Sequence, residues 1–281
     1  MDVRRKGGAP VLEVKKENGV TFLSFPLLER TGLVKHAFST RLGGVSQGDF
    51  ATMNFSFTRG DDREAVLENY SRMAGALGVC RERMVLTWQT HTTNVRRVYA
   101  GDAGKGIVRE RDYRDVDGLI TDIPGMTLVT FFADCVPLYF LDPVHKAIGL
   151  SHSGWRGTVK RMGAVTLSEM ERAFGTRPNE VLACVGPSIC KDCYEVGDDV
   201  AGEFEAAFSA AACARMLTPK KNKKFFLDLW EANRTVLLEA GVREDHLSVT
   251  DICTYCNPGL LFSHRRSAER RGNLCAFLSL I

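Results

Sequence analysis

No run in the 281-residue chain approaches the roughly 18 to 20 consecutive apolar residues that a membrane-spanning helix requires. The basic opening MDVRRKGGAP is followed by no apolar core and no small-residue cleavage site of secretory type, so the expected location is the cytoplasm. Charge of one sign is nowhere concentrated: 37 Lys and Arg face 34 Asp and Glu for a net charge of +3. The densest basic run, Lys220 to Lys224, reads as a solvated loop. Zinc-finger, RNA-binding and helix-turn-helix signatures are missing, so neither nucleic acid nor a membrane is expected as a partner. A GxxxxGK[ST] phosphate loop is absent too. So are internal repeats and low-complexity linkers. Six histidines are too few to group into a multicopper centre.

Cysteine is plentiful for a cytosolic chain and has the most to say. Nine of them, at 80, 135, 184, 190, 193, 213, 253, 256 and 275, are too sparse for a disulfide scaffold. Their odd number points to reduced thiols, metal ligands and small buried hydrophobes.

With 44% hydrophobic and 25% charged residues the chain can bury a large core. Residues 1–18 are polar and glycine-bearing and read as an N-terminal extension, with 19–281 as a single domain. Short β-like runs at 20–28 and 34–39 lead to Gly43 and Gly44, where Arg41 and Ser46 stand beside amides that could cradle an anion. A helix from Asp61 to Leu77 is expected, with Val66, Tyr70, Met73, Ala74 and Leu77 inward and Gly78 as its C-cap. Residues 101–114 read as a mobile loop with room for a lid. Further helices are expected over 158–174, 198–216 and 228–240, and strands over 84–88, 181–185, 247–250 and 275–280.

The organising stretch is FFADCVPLYFLDPVHKAIGLSHSGWRG at 131–157. Asp142, Pro143 and Lys146 punctuate two apolar runs of strand length, which predicts a β-hairpin. A hairpin returns its ends to one place, so Cys135 and His152 can meet there. His91 ends a separate strand among Gln89, Thr90, Thr92 and Thr93. Together His91, Cys135 and His152 form a possible three-ligand metal site with an open position. The rival is a structural zinc closed by Cys190, Cys193, Cys253 and Cys256, two CxxC pairs. Asp134 stands beside Cys135 and is expected to orient a ligand or the site backbone, while Asp117 is expected to brace a turn. His264, next to Arg265 and Arg266, is a candidate contact for an anionic or ribose-bearing ligand. His36 reads as a satisfied core-edge residue, and His145 and His246 as exposed.

The ordered motifs FSTRLGGVS (38–46), QTH (89–91), DVDG (115–118), ADCVP (133–137), HSGWRG (152–157), GPSI with YEV (186–196) and CT with SHRR (253–266) run through nearly the whole chain. They resemble the YfiH/LACC1-type purine nucleoside phosphorylase family, also described as polyphenol oxidoreductase or laccase-domain proteins and as peptidoglycan editing factors. The resemblance implies a single-domain, mixed α/β fold in four α/β/β/α layers, with His91, Cys135 and His152 as metal ligands and catalytic residues and zinc as cofactor. It implies phosphorolysis of adenosine, inosine, guanosine or methylthioadenosine, and deamination of adenosine by zinc-activated water. Arg41, Ser46, Arg156 and His264 are then the expected substrate or phosphate contacts, small molecules the partners, and a monomer or weak homodimer the assembly. Three other readings stay open: a copper-dependent polyphenol oxidase, a cysteine hydrolase using Cys135 and His152, and a noncatalytic binder of cell-wall precursors.

Overall fold

The structure, a computed structural model, describes residues 3–8 and 10–281. Two six-stranded mixed sheets dominate it. One runs in the order Glu13–Glu17, Val20–Ser24, Val34–Ser39, Leu274–Leu280, Thr127–Phe132, Met84–Leu86. The other runs Leu247–Val249, Leu182–Val185, Val136–Asp142, Ala147–Ser153, Gly118–Thr121, Val95–Arg97. The second half of the expected extension is thus an edge strand, and Arg5 reaches Asp251 at 2.6 Å.

Alternation along the strands dictates the layering. In Val136–Asp142, Tyr139 and Leu141 pack with Phe38, Leu128, Phe132 and Leu278 between the sheets, while Leu138 and Phe140 face the helices. Burial on both faces is why this strand reads as continuously apolar. The helices Met162–Phe174, Asp198–Ala207 and Leu229–Glu239 cover the second sheet. Helix Arg63–Leu77 covers the first, with Val66, Tyr70, Met73 and Ala74 against Phe22, Val129 and Phe277. Four α/β/β/α layers follow. Asp62, not Asp61, caps the Arg63–Leu77 helix, accepting from the Ala65 amide at 3.0 Å, and Gly78 closes it in the left-handed conformation.

Three expected elements differ. The helix over 158–174 is two, Trp155–Val159 and Met162–Phe174, because Arg161 takes φ 60° and breaks the hydrogen-bond ladder. The helix over 198–216 breaks at Ser209, whose hydroxyl caps Ala210–Met216. Residues 101–114 are no lid. Ile107 and Tyr113 are buried, the Tyr113 hydroxyl donates to Leu86 at 2.6 Å, and Lys105 joins Asp102 and Asp112.

The hairpin forms as expected, with Pro137 opposite His152 and Val136 opposite Ser153. Its position matters more than its shape. Residues 133–135 carry the chain from one sheet to the other, and residues 87–94 do the same between Met84–Leu86 and Val95–Arg97. The two crossings lie together.

Candidate active site

Asp117 assembles the centre. Its carboxylate accepts from the backbone amides of Thr90, His91 and Thr92 at 2.9, 3.1 and 3.1 Å, fixing the turn in which His91 takes φ 64°. The same carboxylate accepts from Nδ1 of the buried His152 at 2.8 Å. That bond orients the ring and leaves Nε2 as the nitrogen available to a metal, which would displace its proton. Cys135 completes the group: its Sγ lies 4.0 Å from His91 Nε2, and one ligand atom from each of His91, Cys135 and His152 falls within 4.8 Å of the others. A side chain at Gly154 would not fit, since a Cβ there would stand 3.0 Å from Cys135 Sγ and 3.1 Å from His91 Cδ2.

The electrostatics favour a deprotonated thiol. Burial pushes the Cys135 thiol up, but the facing His152 and His91 imidazoles outweigh it and hold it at about 6. Burial lowers His152, yet Cys135 and Asp117 more than reverse this, up to about 9. Burial also raises the Asp117 carboxyl, but His152 and the turn amides bring it below its ordinary value.

Two cavities meet at this group. The larger, of ≈ 340 Å³, is lined by Trp88, Phe131, Phe132, Arg59, Arg111 and Arg271 besides His91, Cys135 and His152. Arg271 is buried, and its Nε has no hydrogen-bond partner. Burial, then repulsion from Arg59, pushes its guanidinium down to about 10. The smaller cavity, of ≈ 160 Å³, is bounded by Trp155, Tyr194, Arg156, His264 and Arg265, and shares His91 and Cys135.

The expected contacts divide accordingly. Arg156, stacked on Trp155 at 4.3 Å, and the exposed His264 line the smaller cavity. Arg41 and Ser46 line neither. Arg41 donates to the Ala51 and Pro258 carbonyls and stacks on Phe262, and the buried Ser46 hydroxyl accepts from Asn69 at 2.9 Å. The glycine loop is a packed turn. Its amides at Gly44, Val45 and Ser46 are bonded to Thr52 and Asn69, and a Cβ on Gly44 would lie 2.2 Å from the Thr52 carbonyl. Asp134 at φ 92° accepts from the Thr254 hydroxyl and the Arg265 amide, both at 2.6 Å. It ties the C-terminal loop to the crossing rather than touching the ligand group.

Sequence reasoning missed Arg59, Arg111 and Arg271. The available signal was an arginine before Gly272–Asn273 at the entry to an apolar strand. Cys190, Cys193, Cys253 and Cys256 also converge, so the two clusters coexist and are not rivals.

A layered α/β protein with a mixed thiolate–imidazole centre at the crossing of its sheets is the class that fold and site define. Residues 35–281 match the family described as multi-copper polyphenol oxidoreductase laccase, and the chain belongs to that family. It is 35% identical over 247 residues to the purine nucleoside phosphorylase YlmD of Bacillus subtilis (strain 168), covering 86% of this chain and 87% of that one. Adenosine deaminase RL5, from an unknown prokaryotic organism, is 35% identical over 241 residues, 84% of this chain and 90% of the relative. The crystal structure of YlmD from Geobacillus stearothermophilus superposes with a TM-score of 0.88 at 32% identity, covering 97% of this chain and 99% of that chain. Among the described residues no helix is long and apolar enough to cross a membrane.

Proposed function

We propose that the chain is a zinc-dependent purine nucleoside phosphorylase. It would convert adenosine, inosine, guanosine or methylthioadenosine with phosphate to the free base and the ribose 1-phosphate, and would also deaminate adenosine. The observation that carries this reading is the convergence of His91, Cys135 and His152 where an arginine-lined cavity meets an aromatic one. The names of the phosphorylase and deaminase relatives support it.

The donors suit zinc: one thiolate and two imidazoles leave a fourth position open, the pattern of catalytic sites. Zinc bound there would supply a Lewis acid. The protein does the rest. Asp117 orients the His152 ring and holds His91 in its turn, so the ligand group is set before substrate arrives. Arg271, with Arg59 and Arg111, offers phosphate a cationic cradle whose one free buried donor is Arg271 Nε. Phe131, Phe132 and Trp88 give the larger cavity apolar and aromatic surface against which a purine and ribose can exclude water.

Purified protein is to be incubated with adenosine, with and without phosphate, while products are identified and metal content is measured. Adenine and ribose 1-phosphate should form only with phosphate, and inosine in either case. Absence of both adenine and inosine overturns the reading.

A second reading has its own observation. Cys135, His152 and Asp117 line up as nucleophile, base and orienting carboxylate, as a cysteine hydrolase requires. A chelator separates the two. The zinc enzyme loses turnover and regains it with added zinc, whereas the hydrolase does not respond.

A further inference from the structure

Cys190, Cys193, Cys253 and Cys256 come from two loops that are far apart in sequence. The first follows strand Leu182–Val185, and the second follows Leu247–Val249, the parallel neighbour of that strand. The parallel bridge between Ser188 and Cys253, with the Thr254 amide on the Ser188 carbonyl at 3.1 Å, continues the pairing into the loops. The two CxxC turns therefore face each other because the strands beneath them do.

The sulfurs are arranged as a metal would hold them. All four lie within 4.8 Å of one another, with Cys193 Sγ and Cys256 Sγ 3.5 Å apart. A tetrahedral zinc with Zn–S bonds near 2.3 Å sets its sulfurs about 3.8 Å apart. The Cys190 amide donates to Cys253 Sγ at 3.2 Å, a bond that favours thiolate over thiol. All four are free thiols. Cys190 and Cys253 are buried, and Cys193 and Cys256 are partly covered. Lys6 pairs with Asp192, which stands between Cys190 and Cys193, at 2.8 Å. By contrast Cys184 and Cys275 are buried singly in the apolar clusters, as small hydrophobes.

We infer that these four cysteines bind a second, structural zinc ion, separate from the His91–Cys135–His152 centre. Four protein thiolates fill the tetrahedron, which leaves no position for substrate. Its role is to fasten walls of the active site. Ile189 and Tyr194, on either side of the first CxxC, line the smaller cavity. Thr254, inside the second CxxC, donates to Asp134 next to Cys135. The inference does not depend on the proposed reaction.

The test is metal content and spectroscopy on the full chain purified without chelator. Two metal ions per chain are expected. Cobalt substituted for zinc should give the tetrahedral absorption and strong thiolate charge-transfer of an all-sulfur site. The His91→Ala, His152→Ala double variant should keep one ion and that spectrum. The Cys193→Ser, Cys256→Ser double variant should lose one ion and the all-sulfur spectrum and melt at a lower temperature. The four thiols in the unsubstituted protein should resist alkylation until a strong chelator is added, which decides the matter even where the serine variant does not fold. One metal ion per chain, lost with His91 and His152, overturns the inference. So do free alkylation of the four thiols before chelation and a disulfide-linked peptide joining the two turns in a non-reduced digest.

Discussion

One carboxylate, Asp117, positions two of the three proposed ligands, and nothing in its own sequence neighbourhood says so. DVDG reads as a turn, whereas Val116 bridges to Trp88 and Gly118 opens strand Gly118–Thr121; the turn Asp117 fixes is the one that carries His91, reached only through folding. Asp117→Asn keeps the shape, yet its amide nitrogen cannot accept from the donors that the second carboxylate oxygen now satisfies. Metal affinity should fall about 10- to 100-fold, measured by competition with a fluorescent chelator. Arg271 presents the opposite case. A guanidinium with an unpartnered buried Nε is costly unless an anion arrives. Arg271→Gln should therefore raise the KM for phosphate about 10- to 100-fold, the equivalent of one lost charged hydrogen bond, while adenosine deamination in phosphate-free buffer stays within about twofold. Steady-state assays of the two products separate these effects. The convergence of His91, Cys135 and His152 was legible because each stands beside an apolar run of strand length. Arg41 misled for a physical reason: a glycine turn with a nearby arginine looks the same in sequence whether its amides are free or already bonded to Thr52 and Asn69.

Among the elements, the hairpin was readable because period, punctuation and length agree at 136–153. The break at Arg161 was not. No proline or glycine marks it, and the left-handed residue is held by its guanidinium, which reaches the Ala207 carbonyl at 3.2 Å and stacks on Phe208. Residues 101–114 were misread because glycine and charge suggest mobility, whereas ion pairs and one buried tyrosine hold the loop down. Contact between the sheets has a polar element as well. The hydroxyl of the fully buried Tyr139 donates to the Ala37 carbonyl of the facing sheet at 2.9 Å. Tyr139→Phe leaves that carbonyl without this donor in an apolar layer, and should cost about 1–3 kcal/mol by urea unfolding. Ligand geometry should be unchanged, since the substitution lies inside the sandwich rather than at its end.

For the whole molecule, stability against acid rests partly on His36. It is buried between the sheets, accepts the Phe25 amide at Nε2, and is held down at about 3 by burial, with a smaller push from Lys15. Its ordinary value is 6.5. The unfolded chain therefore binds the extra proton first as pH falls. The contribution is complete above about pH 6.5 and drains away toward pH 3. Between pH 6.5 and 5 the wild type should lose about 1.5 kcal/mol more than His36→Gln, read from urea midpoints at each pH. The order of layers was expected from continuous apolarity and helical periodicity, together with the family resemblance. Which strands neighbour which was not legible, because the closing strand Leu274–Leu280 inserts between segments more than a hundred residues upstream.

The paired crossings between the sheets have a consequence in time. His91 and Cys135 each ride a segment that leaves one sheet for the other, and they stand 44 residues apart in the chain. Neither sheet alone can assemble the ligand group, so a refolding chain has no centre to fill until its halves have docked. Ion capture there would then trail the slow, long-range step of folding, and cobalt colour at the mixed site would work as a clock for its completion.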